Sequence, residues 1–184
     1  MAIITISGDL GSGKTSVSKI LIEKLGYERF SVGDAWRKVA ENEGVSILEL
    51  NKRAEKDKSI DLKVDNEMIE VGKTMDNLVI DSRLAWHFIP HSFKVMLKVN
   101  PEEAARRIAK DTERKGSENF QDLKEAAQSI VNRRKSEVER FKIYYQVDIE
   151  DENNFDIVID STNTLPEQIA QEIIAAAKAK GAIC

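Results

Sequence analysis

The sequence predicts an α/β fold, a parallel five-stranded sheet sandwiched by helices within one domain. Three observations carry that prediction. Short β-rich runs recur along the chain with little polar alternation, as strands buried on both faces do. Helical spacing separates each run from the next, which is the βαβ order of a parallel sheet. The 184 residues suffice for one sizeable core, and no repeat, low-complexity tract or linker divides them; proline occurs only at Pro90, Pro101 and Pro166.

The first strand is Ile3 to Ser7, and a helix from Ser12 to Leu25 places Val17, Ile20, Leu21 and Leu25 on one face before Gly26 stops it. A weaker strand runs from Tyr27 to Val32. The stretch 33–76 reads as a cluster of helices, and "NLVID" (Asn77 to Asp81) is the next strand. "KVMLKV" (Lys94 to Val99) follows. Within 105–145, the segment Asn119 to Tyr145 repeats Leu123, Ala127, Ile130, Arg134, Val138 and Phe141 at three or four residues, the pattern of a long amphipathic helix. "FDIVID" (Phe155 to Asp160) is the last strand, and Thr164 with Glu167 forms a capping-box pattern ahead of the last helix. The core is then 1–32, 77–104 and 146–184, with insertions at about 33–76 and 105–145 over one edge of the sheet. Right-handed crossovers set its hand.

Charge and composition restrict the function classes. A formal net charge of −4 argues against a dedicated nucleic-acid binder. No window approaches the apolar length of a membrane span, and no basic stretch precedes the first apolar run, so the expected location is the cytoplasm with no membrane partner. The single cysteine, Cys184, leaves no intrachain disulfide.

Between the first strand and first helix, Gly8, Asp9, Leu10, Gly11, Ser12, Gly13, Lys14 and Thr15 fit the phosphate-binding pattern G-x-x-x-x-G-K-[ST], with Ser16 following. A polyphosphate needs a ring of backbone N–H donors at the positive end of a helix, and only a tight turn rich in glycine lets the main chain come that close. Lys14 would reach the outer phosphates, and the Thr15 hydroxyl would hold Mg²⁺. Asp81 ends its strand at the edge where ligands of such folds gather, so it could hold a Mg²⁺ water or cap a neighbouring turn. Asp160 has the same local look but a structural role.

Of ten arginines, Arg106, Arg107, Arg114, Arg133, Arg134 and Arg140 fall in the second insertion. Glu102, Glu103, Glu137 and Glu139 could pair with some of them along helix faces. Arg134 interrupts an apolar face, either as a structural ion pair at the helix edge or directed inward, where a guanidinium needs an anion. Transfer of a phosphoryl group supplies one, because charge spread over its oxygens is neutralised by Mg²⁺, Lys and Arg. His87 and His91 are separated by Pro90 and read as surface or packing residues.

"ISGDLGSGKTSVSKILIEKLGYERFSVGDAWRKVAENEG", "DKSIDLKVD", "LVIDSRLAW" and "RRKSEVERFKIYYQVDI" together resemble the compact form of the cytidylate kinase-like family, relatives of adenylate kinase. The likeness covers nearly the whole chain. It implies a P-loop kinase fold with monophosphate-binding and lid insertions, using ATP and Mg²⁺ to phosphorylate a nucleoside monophosphate, CMP or dCMP. It further implies that Arg37 and Arg83 meet the acceptor phosphate, with Ser31, Gly33 and Asp34 shaping the approach. Arg106 or Arg107 would contact the donor, and Arg133, Arg134 and Arg140 would clamp the phosphates, Arg134 and Arg140 with Lys14 as the catalytic group. Asp61 and Asp65 lie where a base or sugar could be read, or cap a helix, or face solvent. Ser82 departs from the family's carboxylate-glycine-arginine turn. A kinase for a different small acceptor, or an ATP-binding regulatory module without turnover, is the alternative reading of the same residues.

Overall fold

The protein is described by a computed structural model covering residues 2–110 and 123–183. Arg114, the first residues of the expected long helix and Cys184 lie outside the described residues. Five parallel strands, β1 (Ile3–Gly8), β2 (Glu28–Ser31), β3 (Leu78–Asp81), β4 (Phe93–Lys98) and β5 (Ile157–Asp160), form one sheet in the order β2-β3-β1-β4-β5. The chain leaves β1 for the β2 edge and later crosses β1 to reach β4. The end of β1 is therefore the point where strand order reverses, the place where open α/β sheets bind ligands.

α1 (Lys14–Leu25) and α8 (Pro166–Ala179) cover one face. Ile4, Ile6, Val79, Val95 and Leu97 from the strands meet Val17 and Leu21 of α1 and Ile169 and Ile173 of α8 in one buried cluster. The side chains that set the expected period of the first helix are thus the ones that fasten it. Burying a leucine or isoleucine is worth about 1.5–3 kcal/mol, so this face holds the start of α1 firmly against β1. On the other face, Ile3, Leu78 and Ile80 pack against Met68 of α4 (Lys58–Thr74) and Ala85 and Ile89 around the short α5 (Ala85–Phe88).

The stretch 33–76 resolves into three helices, α2 (Val32–Glu43), α3 (Ile47–Ala54) and α4. They share a core of their own, from Trp36, Ala40, Ile47, Leu50, Ala54 and Val64. Ser31, Ser46 and Asp57 cap them by accepting from Asp34, Glu49 and Ser59 N–H groups. α6 (Pro101–Lys110) pairs with α7 (Leu123–Tyr145) through Ala105, Ile108, Ala126 and Ile130. The last helix starts one residue later than its expected cap: the Leu165 N–H donates to Gln168 Oε1 at 3.4 Å, so Gln168 rather than Glu167 reaches back. Among the described residues, no helix is long and apolar enough to cross a membrane.

Candidate active site

β1 runs into the glycine-rich loop with a backbone that few side chains permit. Gly8 has φ 135°, and a Cβ there would lie 2.0 Å from the Leu97 carbonyl oxygen of β4. Gly11 has φ 78°, and its Cβ would strike Ala104 at 2.9 Å. The loop is thereby wedged between β4 and α6, and its geometry needs glycine at both positions. Lys14 folds back over the loop, donating to the Gly8 carbonyl at 3.0 Å and the Asp9 carbonyl at 2.7 Å. The Thr15 hydroxyl donates to Asp81 Oδ2 at 3.1 Å. Asp81 thus faces the loop.

The loop opens on a cleft of about 660 Å³, floored by the strand ends and walled by α2, α3 and α4 on one side and α6 and α7 on the other. Leu10, Gly11, Gly13, Lys14, Thr15 and Ser16 line one region of it, and Gly33, Arg37, Asp61, Asp65, Arg83, Arg133 and Arg140 line another. Residues from 10 to 166 contribute to it. That is how a chain with net charge −4 concentrates guanidinium groups in one place.

Most of the expected residues converge here; Gly8, Asp9, Ser12, Asp34, Arg106 and Arg134 do not line the cleft. Arg106 pairs with Glu103 on the helix surface, with 59% of its side chain exposed, whereas Arg107 lines the cleft. Arg107 is anchored to the carbonyls of Ser161 (2.7 Å) and Thr162 (3.0 Å). Arg134, expected to face the transferring group, is turned instead toward Asp9 Oδ1 at 3.6 Å and Glu150 Oε1 at 3.3 Å and does not line the cleft. Its anion is protein carboxylate, which explains an arginine on an apolar helix face without invoking a ligand. Asp9 contributes its backbone to the loop, but its side chain accepts from the Val99 N–H at 3.4 Å, away from the cleft.

Arg83 and Arg133 share a residue that local sequence marked only as a helix-face partner. Glu137 is buried, forms an ion pair with Arg83, and accepts from Arg133 Nε at 3.1 Å. Burial would raise its pKa, yet the guanidinium groups of Arg83, Arg133 and Arg140 hold it below the usual glutamate range. The Arg83 carbonyl is fixed in turn by Trp86 Nε1 (2.8 Å) and Ser7 Oγ (3.2 Å). Ser82, the departure from glycine in this turn, accepts from the Leu84 N–H at 3.2 Å and so orders the turn through its hydroxyl.

Asp61 and Asp65 neither cap a helix nor face solvent. Only 3% and 6% exposed, they stand on the cleft side of α4, which Asp57 caps. Arg140 Nε lies 2.9 Å from Asp61 Oδ2, and the Tyr145 hydroxyl donates to Asp65 Oδ2 at 2.6 Å. Burial pushes Asp61 up to about 7 against the pull of Arg140, with Asp65 and Glu137 adding to the rise. Burial likewise raises Asp65, opposed by the Tyr145 hydrogen bond and Arg140. Arg140 also lies over the Trp36 and Phe141 rings, 5.8 and 5.2 Å from their centroids.

Trp36, Asn51, Glu137 and the turn Thr162–Leu165 line the cleft although none of them is expected there from the sequence. "DSTNTLP" after the last strand was the available signal for that turn. Asp160 accepts from the Thr162 N–H at 2.8 Å there, a structural role. His87 is likewise a packing residue, edge-on to Trp86 and Phe88.

Residues 3–163 match the model of the cytidylate kinase-like family. A cytidylate kinase of Sulfurisphaera tokodaii is 38% identical over 175 residues, covering 94% of this chain and 93% of its own length. One from Natronomonas pharaonis is 38% identical, covering 96% and 90%. Among solved structures, a shikimate kinase from Bacteroides thetaiotaomicron superposes with a TM-score of 0.66 at 16% identity, covering 98% of each chain, a likeness of fold.

Proposed function

The chain belongs to the cytidylate kinase-like family and is a nucleoside monophosphate kinase, and from that premise we propose that it transfers the γ-phosphoryl group of ATP to CMP or dCMP. The γ-phosphorus would exchange its bond to the ADP oxygen for a bond to a phosphate oxygen of the acceptor, releasing ADP and the nucleoside diphosphate. One observation carries the reading: a single cleft has the phosphate loop in one region and, in another, a group of arginines beside two buried carboxylates.

In this reading the N–H groups of the loop and the Lys14 ammonium hold the triphosphate tail. Arg37 and Arg83 bind the acceptor phosphate, while Arg133 and Arg140, rather than Arg134, stabilise the transferring group. Trp36, Asp61 and Asp65 line the region left for the acceptor's base and sugar. Base choice depends on the hydrogen bonds such groups offer.

The residues at the loop fit Mg²⁺. Thr15 Oγ1 and Asp81 Oδ2 bring two hard oxygen donors together, and among the described residues no cluster of three or more His, Cys, Asp or Glu side chains offers a closed metal cage. That donor set suits a cation that keeps waters and takes its remaining ligands from phosphates. Bound there, Mg²⁺ would offset the charge of the outer phosphates.

Incubating the protein with ATP, Mg²⁺ and each nucleoside monophosphate in turn, with ADP formation followed, tests the assignment. Acceleration by CMP or dCMP supports it; slow hydrolysis indifferent to every acceptor overturns it.

A further inference from the structure

We propose that Arg29 is a positioning residue that joins the metal-facing carboxylate of the donor site to the acceptor-site arginine; this rests on the kinase reading above. Arg29 stands on the edge strand β2 with its side chain largely covered, and its guanidinium reaches three elements. Nε donates to Ser18 Oγ of α1 at 2.9 Å. Nη1 donates to Asp34 Oδ2 in the first turn of α2 at 2.8 Å. Nη2 lies 3.6 Å from Asp81 Oδ2 at the end of β3.

Both carboxylates have a second partner that belongs to the site. Asp81 Oδ2 also accepts from the Thr15 hydroxyl, and Asp34 Oδ1 takes the Arg37 guanidinium. Thr15, Asp81, Arg29, Asp34 and Arg37 therefore form one continuous polar chain, with charge alternating from Asp81 to Arg37. Asp34 lies where the helical insertion leaves the sheet, so the chain crosses the junction between the two binding regions. Any change in what Asp81 engages alters how Arg29 is shared between Asp81 and Asp34, and with it the hold on Arg37. Binding at one end is then linked in free energy to binding at the other. Arg29 uses three separate nitrogens of a planar fork here, whereas a lysine ammonium presents its three donors from one atom on a flexible stem.

The test titrates CMP calorimetrically into the full chain, with and without Mg²⁺ and a non-hydrolysable ATP analogue, for wild type, Arg29→Ala, Arg29→Lys and Ser18→Ala. The donor is expected to tighten CMP binding about 5-fold or more in wild type. Both Arg29 variants should lose that gain and raise the KM for CMP about 10-fold, the scale of one charged hydrogen bond, with a smaller effect on kcat. Ser18→Ala keeps both carboxylate contacts and should retain the gain. If Arg29→Ala does not fold, Arg29→Lys and Asp34→Asn are compared singly and combined, and non-additive losses are expected. A wild type without the gain, Arg29 variants that keep it, or additive losses overturn the inference. A wild type that neither binds nor phosphorylates any monophosphate overturns the kinase reading and this inference with it, whereas an active wild type with unaffected variants overturns only the role of Arg29.

Discussion

The Thr15 hydroxyl donates to Asp81 Oδ2 across 3.1 Å, tying the first turn of α1 to the end of β3. Two residues distant in sequence thus form one oxygen-rich corner beside the phosphate loop. Parallel pairing of β1 with β3, Ile6 opposite Asp81, sets that corner. Asp81→Asn keeps the shape and removes the charge, so half-maximal activity should need about 10–100-fold more Mg²⁺, as loss of a metal-supporting group typically does. A Mg²⁺ titration of the rate reads this, and an unchanged midpoint would remove Asp81 from the metal site.

Lys14→Ala should lower kcat about 10²–10³-fold, the cost of losing one fixed donor to developing charge. The Lys14 ammonium contacts the loop carbonyls of Gly8 and Asp9, so circular dichroism and thermal unfolding should accompany the kinetics. A folded variant of wild-type rate sinks the assignment.

Arg133 and Arg134 are neighbours in sequence with different expected effects. Arg133 lines the cleft and Arg134 faces Asp9 and Glu150. Arg133→Ala is expected to cost about 10²-fold in kcat/KM and Arg134→Ala less than about 10-fold. Equal losses in steady-state assays would contradict the separation.

Glu137→Ala leaves Arg83 and Arg133 without their shared carboxylate in a buried setting. Breaking one side of a buried ion pair costs about 3–5 kcal/mol, and Glu137→Gln, which keeps hydrogen-bonding capacity, should cost less. Urea denaturation followed by fluorescence measures both. A Glu137→Ala loss below about 1 kcal/mol, the range of exposed pairs, would show that the network is not needed for folding.

Asp61 gives a pH signature. Its pKa rises on folding from 3.8 to about 7, so the folded state holds the proton more tightly. The contribution to stability is fully present below about 4 and is lost as pH rises through about 7. Asp61→Asn cannot titrate. The stability difference between variant and wild type should therefore shift in favour of the variant across that window, as read by thermal midpoints from pH 4 to 8. A difference independent of pH would be incompatible with the raised pKa.

Much of this was readable from local order. Lys14 and Thr15 follow Gly13 directly, and a phosphate loop is a contiguous stretch whose backbone demands appear as glycine in the sequence. The strands were legible because burial on both faces leaves no polar alternation to confuse their length. Arg29 and Glu137 were not, because each acts on side chains brought to it from separate elements, and no spacing rule links Glu137 to Arg83 or Arg29 to Asp81.

Neighbouring residues alone specify the phosphate loop, the strand-helix alternation and the stock of arginines, since these depend on backbone freedom and on which residue recurs at which period. The destination of each arginine depends on packing: Arg140 reaches Asp61, Arg134 reaches Asp9, and Arg106 stays at the surface. A guanidinium is directed by the nearest uncompensated carboxylate, and which carboxylate is nearest is known only once the helices have been laid against the sheet.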